Sequence, residues 1–154
     1  MQNRGMKGGA KIARYRYLPH TADVAFVAYG GSARETIENA AEALLGIMLD
    51  TGPIMRSSAK RGTVRIAERA QSIDSLAWYT LQRIVSEVDK TKLHAYAFKV
   101  DRLERGRELR LAGRLLFAKS AGDPFMLDVK AVTPHGLEMK RTARGYSMRV
   151  LVDV

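Results

Sequence analysis

An imidazole and a carboxylate stand three residues apart in the segment Y-L-P-H-T-A-D-V-A-F, which covers residues 17–26. Apolar residues with strand character flank His20 and Asp23, and ionisable groups are costly to place against a core. A second carboxylate, Asp153, lies in the terminal segment L-V-D-V. Carboxylate and carbonyl oxygens are the ligands that hard cations prefer. These residues are therefore the first candidates for a functional site.

The last segment of the sequence alternates in polarity, which is typical of a strand with one buried face. The alternation predicts that Asp153 points away from the side shared by Val152 and Val154. The sequence ends at Val154, so we expect its α-carboxylate beside Asp153. If Asp23 lies nearby, three anionic groups share one place, and a cation is needed to make them compatible. The alternative is a solvated, fraying terminus without a ligand.

Several other kinds of site find little support in the sequence. The chain has no cysteine, which excludes disulfides, thiolate metal ligands and a cysteine nucleophile. It has neither a G-x-x-x-x-G-K-[ST] nor a G-x-G-x-x-G nucleotide motif. A serine hydrolase lacks its G-x-S-x-G elbow, although three histidines and several serines are present. The three histidines, His20, His94 and His135, are too widely separated to predict a zinc site.

The chain is strongly basic, with 26 lysines and arginines, 16 acidic residues and a formal net charge of +10. Such a charge attracts polyanions, RNA above all, or an acidic protein surface. The cations are scattered along the sequence, so a solvated surface is the alternative. Neither a signal peptide nor an apolar run of about 20 residues is evident, so we expect a cytoplasmic protein without membrane contact. Residues 1–13 are expected to form a flexible basic tail, followed by a single domain at 14–154.

Two helices are predicted by apolar spacing. The first follows Ser32 and Glu35, which have the spacing of a capping box, and is expected to end at Gly52-Pro53. Apolar residues recur every three or four positions behind this cap. The second helix is expected to open at Ser72 or to be capped by Asp74, with a buried stripe over residues 77–88.

Strands are predicted over most of the remaining chain because it alternates in polarity or is rich in β-branched residues. Turns are expected at Gly106, Gly122 and Gly136. The predicted strands cover residues 15–18, 24–29, 63–67, 96–103, 108–117, 126–132, 137–141 and 146–154. The element order predicts an α+β fold, a two-layer sandwich in which two main helices pack on one face of a mostly antiparallel sheet.

Two segments together resemble the archease family. One is P-H-T-A-D-V at residues 19–24, with the helical N-A-A-E-A-L at 39–44; the other is K-A-V-T-P-H-G-L-E-M at 130–139, followed by the terminal V-D-V. The resemblance extends from about residue 14 to residue 154. Archeases are accessory proteins of the RtcB-type tRNA-splicing RNA ligase. The resemblance thus implies an accessory protein and not an enzyme.

In this family the accessory protein promotes GTP-dependent guanylylation of the ligase and its multiple turnover. The ligase joins 3′-phosphate or 2′,3′-cyclic-phosphate RNA ends to 5′-hydroxyl ends. The family's metal site corresponds here to Asp23, Asp153 and Val154, with Ca²⁺, or alternatively Mg²⁺ or Mn²⁺, as the ion. His20 would orient Asp23 or pack structurally, and His135 would lie at the same edge or serve a turn.

The chain departs from the family pattern in its second helix, where Trp78 is followed by Y-T-L-Q-R in place of L-N-E-L-L. Its basic charge also leaves a rival function open, that of a basic RNA-binding or chaperone-like module in RNA processing. Such a module would bind RNA tightly and with a strong dependence on salt.

Overall fold

The computed structural model describes residues 13–19 and 23–154. The predicted tail, apart from Ala13, and His20 lie outside the described residues, and the tail stays a prediction. The elements of the described part are β1 (Tyr15–Leu18), β2 (Val24–Gly30), α1 (Ala33–Met48), α2 (Thr51–Arg56), β3 (Gly62–Ala70), α3 (Ile73–Thr91), β4 (Ala95–Arg105), β5 (Leu109–Phe117), β6 (Ala131–Thr142) and β7 (Gly145–Asp153).

The strands form two antiparallel sheets, a four-stranded one in the order β1-β2-β7-β6 and a three-stranded one in the order β3-β5-β4. The α+β class, the antiparallel pairing and the two main helices are confirmed, but the single expected sheet is divided into two. Each long helix contacts both sheets: α1 packs on β2 and against β4, and α3 packs on β3 and against β6. One continuous core therefore joins the two halves.

The N-terminus of α1 follows the predicted capping pattern. The backbone N–H of Glu35 donates to Ser32 Oγ at 3.1 Å, and the Glu35 carboxylate accepts from the N–H of Gly31 at 2.6 Å. The first helix ends earlier than predicted, at Met48, because Leu49 is extended and forms a β-bridge with Phe125.

The Gly52-Pro53 pair, predicted to terminate α1, lies inside the short helix α2. Pro53 is the third residue of that helix, where a backbone N–H has no intrahelical partner in any case. A proline is therefore tolerated there, although the same residue would break a helix further along.

The predicted strands at 126–132 and 137–141 were only partly correct. Residues 126–130 form no strand, and the rest joins into the single strand β6. Gly136 is not a hairpin turn but part of a bulge, with φ of +79°. Thr133 pairs with Leu151 and Glu138 with Arg149, so three extra residues of β6 bulge out between these pairs.

One face of α3 covers the free edge of β6. The indole N–H of Trp78 donates to the carbonyl of Val132 at 2.7 Å, and Gln82 Oε1 accepts from the N–H of Val132 at 2.8 Å. Asp74 accepts from the N–H of Met139 at 2.8 Å. The three side chains are four residues apart, so they lie on one side of the helix. Backbone N–H and C=O groups on the free edge of β6, which would otherwise need water as a partner, thus form hydrogen bonds with α3.

Asp74 therefore does not cap α3 as one prediction proposed. Ser72 is the cap, with its hydroxyl accepting from the N–H of Ser75 at 3.2 Å. The positions that carry the Asn-Glu pair in the family pattern are Thr80 and Leu81, and both are fully buried. In this chain they serve the core.

Candidate metal edge and family membership

The register of β2 and β7 relates the two candidate aspartates. Val24 pairs with Val152, Asp23 directly precedes Val24, and Asp153 directly follows Val152. In an antiparallel pair these positions lie at the same end of adjacent strands, where facing Cα atoms are about 4.5–5.5 Å apart. Residues that are 130 positions apart in the sequence are thereby brought to the same end of the two central strands of the sheet.

The alternation predicted for the final strand is confirmed. Met148, Val150 and Val152 are buried, whereas Arg149 and Asp153 are exposed. The carboxylate of Asp153 is thus available to solvent, while the strand that carries it is anchored in the core. We call this end of β2 and β7, with Asp23, Asp153 and Val154, the carboxylate edge.

The backbone at this edge is held from both sides. Asp153 pairs with Ala131 of β6, and its carbonyl accepts from the N–H of Lys130 at 2.8 Å. β7 lies between β2 and β6, and Val152, the residue before Asp153, pairs with both Val24 of β2 and Val132 of β6. Asp23 and Val154 are half-buried. A ligand set on such a strand needs little reorganisation to bind.

Asp23, Asp153 and Val154 offer oxygen atoms, the ligand type that a hard cation prefers, but too few of them to fill its coordination sphere. Within residues 13–19 and 23–154, no three histidine, cysteine or acidic side chains are grouped to hold a metal ion. Asp23 and Asp153 would contribute two side chains, and Val154 would add a main-chain oxygen. Ca²⁺ takes 6–8 oxygens, so most positions would be left for water or for groups of a partner.

Of the two candidate histidines, one lies in the described part of the chain. His20 lies outside the described residues. His135 is exposed in the bulge of β6, beyond Thr133, which pairs with Leu151. It shares the sheet with the carboxylate edge but is not on the Ala131–Asp153 pair, so its assignment to the edge stays a prediction.

His94, which lies between α3 and β4, is half-buried and makes structural contacts. Its Nδ1 accepts from the backbone N–H of Ser120 at 3.1 Å, and its ring meets Phe125 edge-on at 5.6 Å. These contacts join the start of β4 to the segment after β5.

A half-buried tyrosine, Tyr17, for which the sequence predicted no special role, supports the strand before the H-T-A-D segment. The hydroxyl of Tyr17 donates to the carbonyl of Ala43 in α1 at 2.8 Å. Burial, and then the neighbouring Tyr15 and Glu42, raise the pKa of Tyr17 well above its usual value. The sequence feature that could have indicated this contact is Gly46, because glycine is unfavourable inside a helix and its presence there suggests a packing reason.

None of the helices described is both long and apolar enough to cross a bilayer.

Comparison with known proteins agrees with this architecture. Residues 15–154 match the family model described as "Archease protein family (MTH1598/TM1083)". The chain is 32% identical over 146 residues to the protein archease of Methanosarcina acetivorans and 34% identical over 146 residues to that of Methanosarcina barkeri. Both alignments cover 92% of this chain and 96% of the relative.

Two solved structures share the fold. The solution structure of Methanobacterium thermoautotrophicum protein 1598 superposes with a TM-score of 0.73 at 26% identity, covering 92% of this chain and 99% of that one. The crystal structure of an archease, described as a possible chaperone, from Thermotoga maritima gives 0.56 at 23% identity, covering 89% and 94%. From its family match over residues 15–154 and from its relatives, we conclude that the chain belongs to the archease family.

Proposed function

We propose that this protein is an accessory factor of the RtcB-type tRNA-splicing RNA ligase and acts through the carboxylate edge. In this proposal it promotes GTP-dependent guanylylation of the ligase in the cytoplasm and catalyses no reaction alone. The observation that carries the proposal is the β2–β7 register, which relates Asp23 to Asp153. Family membership over residues 15–154 supports the choice of partner.

The residues of the edge would act by holding and presenting oxygen ligands. Asp23 and Asp153 would bind through their carboxylates and Val154 through a main-chain oxygen, while His20 would orient Asp23. A divalent cation, Ca²⁺ or alternatively Mg²⁺ or Mn²⁺, would supply positive charge that stabilises charge developing at a phosphoryl group. Because this chain offers few ligands, the remaining coordination positions are open to a second protein.

Guanylylation is the step of the ligase cycle at which such a contribution is useful. Transfer of a nucleotidyl group to an imidazole depends on positioning and on electrostatic stabilisation at phosphorus. An accessory protein that completes the required geometry would raise the rate of this step and restore the ligase for another round. Joining of 3′-phosphate or cyclic-phosphate ends to 5′-hydroxyl ends would then continue over many turnovers.

A second candidate function is supported by a different observation, the net charge of +10. A basic RNA-binding or chaperone-like module would use that charge without the carboxylate edge. It predicts full activity of variants that lack Asp23 and Asp153.

The two functions are separated by single-turnover guanylylation of the ligase, without RNA, at varied Ca²⁺, Mg²⁺ and Mn²⁺. Asp23→Asn and Asp153→Asn should each remove the stimulation, whereas Asp89→Asn should retain it. Asp89 is a suitable control because its exposed carboxylate contacts only Lys92, at 3.5 Å, among the ion pairs of the described residues. Equal stimulation by all three variants would rule out the carboxylate edge as the active element.

A further inference from the structure

The outer face of the three-stranded sheet carries a row of cations. Arg65 of β3 pairs with Arg114 of β5, and Arg114 in turn pairs with Lys99 of β4. All three residues are exposed. Two positions further along the same face, Arg69 lies opposite Arg110. Like charges directly opposite one another destabilise a sheet, so the arrangement lowers stability in the absence of an anion.

Acidic neighbours compensate only part of this charge. Arg114 Nε lies 2.9 Å and 3.1 Å from the two carboxylate oxygens of Asp101, and Glu108 pairs with both Arg69 and Arg110. In the described part of the chain no ion pair reaches the remaining three cations of this face. Those are Arg65, Lys99 and Arg102.

The cationic face continues into a cleft at the beginning of α1. Arg102 and Glu104 line both a hollow on the sheet face and this cleft, whose volume is about 840 Å³. Arg34, Arg105 and Arg141 also line it. We call the continuous surface the basic track, comprising Arg34, Arg65, Lys99, Arg102, Arg105 and Arg141.

The cleft also contains an aromatic ring. The guanidinium of Arg141 lies 5.4 Å from the centroid of the Tyr146 ring, and Tyr146 lines the cleft. An arginine beside an aromatic ring is a combination on which unpaired bases stack.

We propose that the basic track binds the phosphate backbone of a single RNA strand, with little dependence on base sequence. Guanidinium groups match phosphate oxygens in two-point geometry. Ala67 and Ala112 lie between the rows of cations, so β3 and β5 carry no bulky side chain there, and Arg102 of β4 lies beside Ala112. The choice of RNA over DNA rests on the proposed function.

A protein partner fits this surface less well. The fully buried part of a protein interface is depleted of charge and rich in large apolar side chains. The large apolar side chains most exposed among the described residues lie away from this surface, on α2, on α3 and in the segment between β5 and β6: Met55, Tyr79, Met126 and Leu127. The track thus has the cations of a polyanion site without the apolar centre of a protein interface.

The basic track is separate from the carboxylate edge. Gly31 and Tyr146, which line the cleft, adjoin the ends of β2 and β7 opposite to Asp23 and Asp153. One surface can therefore be altered by mutation without touching the other.

The test is fluorescence anisotropy with a labelled single-stranded RNA of mixed sequence over a range of salt. In the triple variant Arg65→Gln, Lys99→Gln, Arg102→Gln, affinity should fall at least roughly tenfold and the salt slope should decrease by about 2, as expected for three lost phosphate contacts. Its melting temperature should be unchanged or higher, because like-charge repulsion is relieved.

The matched control, Arg16→Gln, Lys90→Gln, Lys119→Gln, removes the same charge from exposed positions on other elements. It should keep most of the affinity; an equal loss in both variants would overturn the proposal by showing a general charge effect. Failure of the parent to bind RNA, or stronger binding of poly-glutamate than of RNA, would also overturn it. Guanylylation measured without RNA reports on the proposed function separately, since the track variant should still stimulate it.

Discussion

The hydroxyl of Tyr17 occupies the space that a side chain at Gly46 would need. A Cβ at Gly46 would lie 2.8 Å from Tyr17 Oη, closer than van der Waals contact allows. The same hydroxyl donates to the carbonyl of Ala43, one turn earlier in α1. The glycine thus allows β1, which leads into the H-T-A-D segment, to lie directly on the helix.

This relationship predicts an unusual effect of Gly46→Ala. In an open helix the change stabilises by about 1 kcal/mol, but overpacking a filled site costs about 1–3 kcal/mol. We expect Gly46→Ala to lower the free energy of unfolding, and to raise it instead in a Tyr17→Phe background, where the hydroxyl is gone. Urea denaturation of the two single variants and the double variant measures this coupling. Strictly additive effects would show that the two groups do not compete for space.

The half-buried Tyr17 also predicts how stability depends on alkaline pH. Burial raises the pKa of Tyr17, so the folded chain holds this proton more tightly than the unfolded chain, in which a tyrosine titrates near 10.0. The stabilisation is complete below that pH and is lost as the pH rises beyond it. Urea midpoints from pH 8 to about pH 11 should therefore fall less steeply for Tyr17→Phe than for the parent. Tyr79→Phe, at a ring that is 41% exposed, should follow the parent.

The edge contacts of α3 predict a cost for removing Gln82. Its amide oxygen accepts from the N–H of Val132, a residue that is 1% exposed. Gln82→Met keeps the side-chain length but leaves that buried N–H without an acceptor, which typically costs about 1–3 kcal/mol. The exposed Gln71→Met is the matched control and should stay within about 0.5 kcal/mol of the parent. Equal effects in thermal unfolding would mean that water replaces the amide oxygen.

Local signals in the sequence predicted much of the fold, and long-range pairing explains most of the errors. Ser32 caps α1 as its spacing with Glu35 indicates, because a cap depends only on neighbours. Asp74 was assigned to a cap by the same rule, yet it accepts from Met139, 65 residues away. A glycine in a bulge and a glycine in a hairpin turn look alike in sequence. Gly136 was therefore predicted to be a turn between two strands, whereas it lies in a bulge of the single strand β6.

The division into two sheets could not be predicted, because it depends on which strands pair with each other. The sequence pattern indicates only which residues form strands. For the candidate site, alternation predicted the exposed face of Asp153 correctly. Alternation alone did not place Asp23 near Asp153; the family resemblance implied that grouping, and the β2–β7 register puts both residues at the same end of their strands. The metal, the roles of Asp23, Asp153 and Val154 as its ligands, and the contributions of His20 and His135 stay predictions.

Metal binding at the carboxylate edge can be measured without the ligase. A cation that binds only the folded chain stabilises it by about 2.7 kcal/mol at 100 times its dissociation constant. Ca²⁺ should therefore raise the melting temperature of the parent, with Mg²⁺ and Mn²⁺ as comparisons. The shift should vanish in Asp23→Asn and Asp153→Asn and persist in Asp89→Asn. If no ion shifts the melting temperature of the parent, the carboxylate edge binds no cation in the isolated protein. If the parent also fails to stimulate guanylylation of the ligase at any metal concentration, cation binding at this edge in the complex is excluded as well.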